Sequence, residues 1–167
     1  MIKLNTYIIE KFNTKKYLVF DMDGTIADLY AQEDWLEKLD NKDVSPFTNA
    51  PLIYPQSEIS KTISKCKANG WNIFIITYGP KNCDNKFLKE VTNAKLDWLK
   101  KYKLPYDNFI CTKWGIQKWE HIPKDAQLAI LVDDDKQNRL EWTSQGDKFM
   151  VIDASRRDFL GILQTLE

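Results

Sequence analysis

The chain has 167 residues, enough for one domain with a substantial hydrophobic core. Its 24 basic residues (Lys and Arg) balance 24 acidic ones (Asp and Glu), so a strongly basic nucleic-acid-binding module is disfavoured and we expect no nucleic-acid partner. Three cysteines (Cys66, Cys83 and Cys111) without a CxxC pair, no signal peptide and no apolar run of roughly 18 residues predict a cytoplasmic protein with no membrane contact.

Five short apolar runs are predicted to form the strands of one sheet. They are rich in Ile, Val and Phe, and most are continuous rather than alternating with polar residues. Strands that are buried on both faces of a parallel sheet have this pattern. In chain order the runs cover residues 17–20, 71–76, 109–111, 128–132 and, as a further candidate, 149–152.

Helical patterns lie between these runs. They cover residues 57–69, 87–99, 135–144 and 156–166, and Gly70 ends the first of them. Strands that alternate with helices form βαβ units with right-handed crossovers. The sequence therefore predicts a single α/β domain over residues 1–167, a three-layer sandwich around a central parallel, Rossmann-like sheet.

The segment after the first strand interrupts this alternation. A short helix is predicted over residues 28–39, and residues 41–55 contain Pro46, Pro51 and Pro55. We interpret residues 28–56 as a small helical cap inserted over the strand ends, where it can act as a lid. The alternative is a plain surface loop with one helix.

Chemically distinctive residues follow each of the first four strands. Because ligands bind at the carboxyl ends of parallel strands, we expect these residues to meet at one edge of the sheet. They are Asp21, Asp23, Gly24 and Thr25 after the first strand, Thr77 and Tyr78 after the second, Lys113 or Lys118 after the third, and Asp133 and Asp134 after the fourth.

Carboxylates that are crowded together in this way repel one another and raise each other's pKa, and a hard divalent cation relieves the conflict. Oxygen ligands suit Mg²⁺. A lysine and the hydroxyl of Thr77 can bind a phosphate, and Gly24 allows a sharp turn that brings backbone N–H groups towards an anion. Each feature alone also fits a turn, a helix cap or a solvated loop, so it is their joint occurrence that favours phosphoryl chemistry.

The same residues carry a resemblance to a known family. Residues 17–20 followed by the sequence DMDGT at residues 21–25 resemble the first signature of the haloacid dehalogenase (HAD) superfamily. Thr77 resembles the second signature, a lysine the third, and Asp133 with Asp134 the acidic pair of the fourth. The signatures occur in the family's order and span essentially the whole chain.

The resemblance implies a role for each acidic residue. Asp21 would be the nucleophile and a magnesium ligand, and Asp23 the general acid and base, with its backbone carbonyl on the metal. Asp134 would bind Mg²⁺ directly and Asp133 directly or through water. An acid at position 23 is implied to distinguish phosphatases and phosphotransferases from the dehalogenase and ATPase branches.

The resemblance also implies the phosphate ligands. Thr77 would bind the phosphoryl group. We favour Lys118 as the lysine of the third signature, because it begins a short predicted helix, over Lys113, which lies closer to the strand end.

The small cap resembles that of the deoxyribonucleotidase-like branch, whose members act on nucleoside monophosphates. Tyr30 and Trp35 in the cap can stack on a base or pack the lid onto the body, and helical spacing favours packing for Trp35. Substrate contacts are also predicted for Gly24, Thr25, Tyr78 and Lys113. Alternatives are another small phosphate ester, a polynucleotide end, and a degenerate domain that acts as a binding module.

Overall fold

The computed structural model describes residues 15–166. Residues 1–14, in which no signal peptide is predicted, and the last residue of the predicted domain, Glu167, lie outside the described residues. The centre of the fold is a parallel sheet in the order β3-β2-β1-β4-β5. All five predicted strands are confirmed, and β2 runs two residues further than expected. The strands are β1 (Lys16–Phe20), β2 (Trp71–Tyr78), β3 (Asn108–Thr112), β4 (Leu128–Asp133) and β5 (Phe149–Asp153).

Helices connect the strands and cover both faces of the sheet. The α-helices are α1 (Trp35–Asp40), α2 (Ser45–Asn49), α3 (Gln56–Ala68), α4 (Asn85–Tyr102), α5 (Lys136–Thr143) and α6 (Phe159–Leu163). Short 3-10 helices cover Leu29–Ala31, Lys118–His121 and Gln164–Leu166. The prediction of a helix from residue 156 was wrong, because Arg157 has a φ of 55° and α6 begins only at Phe159.

The central strand β1 divides the core into two layers. Leu18 and Phe20 point to one face, where α3 and α6 cover them. Tyr17 and Val19 point to the other face and share a cluster with Trp142 of α5. The three-layer α/β sandwich with a parallel Rossmann-like sheet is therefore confirmed.

A small insertion with two α-helices follows β1. Its base is closed where Ala27 and Leu52 form an antiparallel bridge and the Asp28 N–H donates to the Pro51 carbonyl at 2.8 Å. Its Phe47 packs on the apolar face of α4. The cap is thus tied to the body at its base and along α4.

The predicted single helix over residues 28–39 was wrong. A 3-10 turn at Leu29–Ala31 and the separate helix α1 take its place. Asp34 lies between them with a φ of 55°, a left-handed conformation that a continuous helix does not contain. The proline-containing residues 41–55 include α2, which has Pro46 in its first turn.

Two properties bear on the predicted environment of the protein. In the described residues no helix is long and apolar enough to cross a membrane. Cys66, Cys83 and Cys111 form no disulfide with one another. The cytoplasmic location stays a prediction.

Candidate active site

The predicted acidic residues meet at the carboxyl ends of the two central strands. Asp21 directly follows β1, while Asp133 ends β4 and Asp134 follows it. Each of these three residues offers a carboxylate oxygen, and the three oxygens lie within 4.8 Å of one another. The register of the parallel pair β1–β4 brings them together, since Phe20 lies opposite Val132. The structure therefore assembles the acidic cluster that the sequence predicts.

Lys118 lies inside this cluster. Its Nζ is 2.5 Å from Oδ1 of Asp21 and 2.7 Å from Oδ2 of Asp133, and its side chain is 2% exposed. Burial by itself would lower the pKa of Lys118, but the two carboxylates together raise it above its usual range. Gln117 and Glu120 form a capping box around the 3-10 turn that carries the lysine, which fixes its position.

Lys113, the other candidate for the third signature, has a different position. It lies on the exposed loop after β3, outside the residues that line the cavities beside the carboxylates. Of the two lysines, the structure brings only Lys118 into contact with Asp21.

The acidic pair at the end of β4 consists of two carboxyl groups with raised pKa values. Burial raises the pKa of Asp133 to about 6. Burial and then the charge of Asp21 raise the pKa of Asp134 to about 7. The Asp133 carboxylate accepts hydrogen bonds from the Asp135 N–H at 2.8 Å and from Nδ2 of Asn138 at 3.1 Å. These donors hold Asp133 in place without cancelling the charge of the cluster.

Arg139 on α5 fixes the backbone of this pair. Its Nη1 donates to the carbonyl oxygens of Asp133 at 2.9 Å and Asp134 at 2.7 Å. Its Nη2 pairs with Asp153 at the end of β5 at 2.9 Å. The loop after β4 is therefore anchored to the neighbouring strand.

Asp23 lies beside the cluster and has its own lysine partner, Lys95 of α4, which the sequence analysis missed. The Lys95 Nζ donates to Oδ2 of Asp23 at 2.5 Å, to Oγ1 of Thr77 at 2.7 Å and to the Tyr78 carbonyl at 2.8 Å. Burial, partly offset by Lys95, raises the pKa of Asp23. Thr77 lies near the end of β2 and is fully buried. Its hydroxyl oxygen accepts the hydrogen bond from Lys95.

The structure corrects the predicted roles of Gly24 and Thr25. The Gly24 N–H donates to the Ala27 carbonyl at 2.8 Å, so it is not available to an anion. Thr25 is fully buried and exchanges both of its side-chain hydrogen bonds with Asp134. The predicted sharp turn is present, because Gly24 has a φ of 81° and a Cβ there would collide with the Asp134 carboxylate and with Tyr30.

Two cavities meet at this site. A small one of about 90 Å³ contains the acidic cluster, and a larger one of about 310 Å³ lies between the cap and the body. Four residues line both of them: Asp23, Tyr30, Tyr78 and Trp114. Asp23 therefore lies at the boundary between the two spaces.

Aromatic side chains surround the larger cavity. The rings of Tyr30 and Trp35 in the cap are 5.2 Å apart, and those of Tyr78 and Trp114 on the body are also 5.2 Å apart. Tyr30 and Trp114 are 51% and 56% exposed, so their rings are accessible from the cavity mouth. Trp35 packs against the apolar cluster that joins the cap to α4 and also lines the larger cavity. Stacking of Trp35 on a base stays a prediction.

Comparison with protein-family models and with curated protein sequences gives no match. Among solved structures, the fold is similar to a chain of a Pnkp1/Rnl/Hen1 RNA repair complex, with 17% identity, a TM-score of 0.58, and coverage of 84% of this chain and 42% of that chain. A second structure of a Pnkp1/Rnl/Hen1 complex gives 14% identity and a TM-score of 0.56, covering 84% of this chain and 46% of the other.

A D,D-heptose 1,7-bisphosphate phosphatase from Burkholderia Thailandensis is also similar, with 15% identity and a TM-score of 0.47 over 87% of this chain and 99% of that chain. The likeness is one of fold. The chain spans less than half of the length of the two RNA repair chains that it matches.

Proposed function

We propose that the protein is a magnesium-dependent phosphomonoester hydrolase of the HAD type, with Asp21 as the nucleophile. The observation that carries the proposal is the position of Asp23. Asp23 lines both a small cavity surrounded by carboxylates and a larger cavity with aromatic walls. A proton donor at this boundary can reach the oxygen that links a phosphate in the first cavity to an organic group in the second.

The first step is the transfer of the phosphoryl group to Asp21. A carboxylate oxygen of Asp21 attacks phosphorus, and the bond from phosphorus to the ester oxygen breaks. Asp23 gives its proton to that oxygen, so the organic group leaves as a neutral alcohol. The raised pKa of Asp23 supports this role, because it favours the protonated form that the step needs.

The second step is the hydrolysis of the aspartyl-phosphate. Asp23, now a carboxylate, takes a proton from a water molecule as the water oxygen attacks phosphorus. The bond from phosphorus to Asp21 breaks and inorganic phosphate is released. Lys118 beside Asp21 supplies a positive charge next to the oxygens on which negative charge develops.

The side chains of the site fit a divalent cation. When ionised, the carboxylates of the site carry four negative charges, while its two buried lysines, Lys95 and Lys118, supply only two positive charges. The four carboxylates are those of Asp21, Asp23, Asp133 and Asp134. Asp21 and Asp134, with Asp133 beside them, offer the hard oxygen ligands that Mg²⁺ prefers. When bound, the metal would neutralise negative charge on the phosphoryl oxygens during transfer.

We further propose a nucleoside monophosphate as the substrate, in keeping with the resemblance to the deoxyribonucleotidase-like branch. The larger cavity, about 310 Å³, is at the lower end of the range typical of small-molecule sites, roughly 300–1,000 Å³. Its aromatic walls suit a planar base. The neighbouring cavity beyond Trp114 is lined in part by Asp135 and Glu141, which would repel the phosphates of a long polynucleotide.

A phosphate-release assay with purified protein tests the proposal. We expect Mg²⁺-dependent release from nucleoside monophosphates, lost when EDTA is added and restored by excess Mg²⁺. Sugar phosphates and 3′-phosphorylated oligonucleotides are tested in parallel. Faster turnover of either would replace the nucleotide assignment, and no release from any ester would contradict the assignment of a phosphatase.

The role of Asp23 predicts a dependence on the leaving group. Asp23→Asn should lower kcat on an alkyl ester such as a nucleoside monophosphate by about 10³-fold, because the departing alkoxide then receives no proton. The loss on p-nitrophenyl phosphate should be at most about 10-fold, since that leaving group needs little protonation. Steady-state kinetics on both esters measures the difference, and equal losses would argue against proton donation by Asp23.

A further inference from the structure

Lys95 is a charged residue on the buried face of α4, below the cap. Its side chain is fully buried, and its ammonium group has three N–H donors. All three are accounted for by Asp23, Thr77 and the Tyr78 carbonyl. The ring of Phe47, which belongs to the cap, lies over the same Nζ at 4.7 Å.

We propose that Lys95 is a positioning residue that sets the orientation of the proton donor Asp23 and of the hydroxyl of Thr77. The inference rests on the proposed phosphatase function, because it assigns a task to Lys95 within that site. Lys95 lines neither of the two cavities and contacts no substrate in this role. It acts through the two side chains that it binds.

The contact with Thr77 fixes the direction of a hydrogen bond. An ammonium group has no acceptor, so the Thr77 oxygen must accept from Lys95. The hydroxyl proton of Thr77 therefore remains available to be donated elsewhere. If Lys95 were replaced by an apolar residue, the hydroxyl would be free to donate to the nearby Asp23 carboxylate and would be lost as a donor to a phosphoryl oxygen.

The contact with Asp23 selects one carboxyl oxygen for proton transfer. Lys95 occupies Oδ2, so Oδ1 is the oxygen that remains for the leaving group. The same contact limits the rotation of the Asp23 side chain, which is 18% exposed at the boundary between the two cavities. Holding a reacting group within a fraction of an ångström of its productive position has a large effect on rate.

A purely structural role accounts less well for a lysine at this position. The residue faces the same way as Val91 and Leu99 on α4, where an apolar side chain of similar length would fill the space. Replacing buried ion pairs by apolar residues of similar volume is often neutral or stabilising. The charge at position 95 is therefore better explained by what it does to Asp23 and Thr77.

The test compares Lys95→Met with wild type and with Lys100→Met, an exposed lysine on the same helix. Lys95→Met should lower kcat on a nucleoside monophosphate by about 100-fold but on p-nitrophenyl phosphate by only about 10-fold. Calorimetry with Mg²⁺ should show an affinity for inorganic phosphate that is about 10-fold weaker. Lys100→Met should match wild type in all three measurements.

A loss of the same size on both esters, with unchanged affinity for phosphate, would overturn the inference. If Lys95→Met does not fold, Lys95→Gln takes its place, because its amide can still donate to Asp23 or Thr77, and smaller shifts in the same direction are expected. If neither variant folds, ¹⁵N NMR of the wild-type lysine ammonium groups is the test. The signal of Lys95, distinguished from that of the buried Lys118 by its contact with the Phe47 ring, should shift when inorganic phosphate is added, and the absence of a shift in that signal contradicts the role.

Failure of the proposed function gives a different result. In that case the wild-type protein, like the Lys95 variants, releases no phosphate from any ester. The affinity for inorganic phosphate then still tests the contact between Lys95 and Thr77, since binding requires no turnover. Unchanged affinity in Lys95→Met under those conditions would overturn the inference separately.

Discussion

Asp21→Asn should lower the rate of phosphate release by at least about 10⁴-fold, because an amide oxygen is a poor nucleophile and cannot form the acyl phosphate. The change nearly preserves the shape of the side chain, and Lys118 keeps its contact with Asp133. We therefore expect the melting temperature to stay within about 3 °C of that of wild type. Phosphate release and thermal unfolding, measured on the same preparation, check both parts.

The matched control for this change is Asp97→Asn, which removes an exposed carboxylate from the outer side of α4. It should leave turnover unchanged within about twofold. Phosphate release that survives Asp21→Asn would rule out Asp21 as the nucleophile. In that case a water molecule activated at the same carboxylate cluster becomes the better hypothesis.

Lys118→Met should impair both stability and turnover. Its ammonium is buried between Asp21 and Asp133, and its removal leaves two buried carboxylates without their cation. Breaking a buried ion pair on one side typically costs about 3–5 kcal/mol of unfolding free energy. Turnover should fall by about 10³-fold, because positive charge next to the transferring phosphate is lost. Urea unfolding and phosphate release measure the two effects.

Lys113→Met provides the comparison, since Lys113 was the alternative lysine and lies on the exposed loop after β3. It should change the unfolding free energy by less than about 0.5 kcal/mol. A large loss of turnover in Lys113→Met, with Lys118→Met active, would reverse the assignment of the two lysines.

Added Mg²⁺ should restore part of the stability of Lys118→Met, because a cation bound at the cluster relieves the repulsion between the carboxylates that Lys118 otherwise relieves.

The fold and the acidic cluster were predictable because their signals are local. Each buried strand is a continuous apolar run, and Asp21, Asp133 and Asp134 each come at or just after the end of such a run. Parallel pairing then brings strand ends together whatever the detailed packing. Even the choice of Lys118 over Lys113 followed from its place at the start of a short helical turn, which the structure contains.

What the sequence did not predict depends on contacts between distant segments. Lys95 was overlooked because the apolar face of α4 was traced through its hydrophobic members. The signal was nevertheless present, since Lys95 follows Val91 by four positions and precedes Leu99 by four and so shares their face. The break in the predicted cap helix had no such signal, because the left-handed residue there is Asp34 rather than a glycine.

The central place of β1 in the sheet affects how the site forms during synthesis. Lys16 lies opposite Trp71 on one side and Leu128 on the other, so β1 gains its second neighbour only after most of the chain has been made. Pairing over such sequence separations is slow, since a long loop must close before any contact forms. Until then the strand that precedes Asp21 has an unpaired edge on a ribosome-bound chain, and we expect the acidic cluster to assemble only late in synthesis.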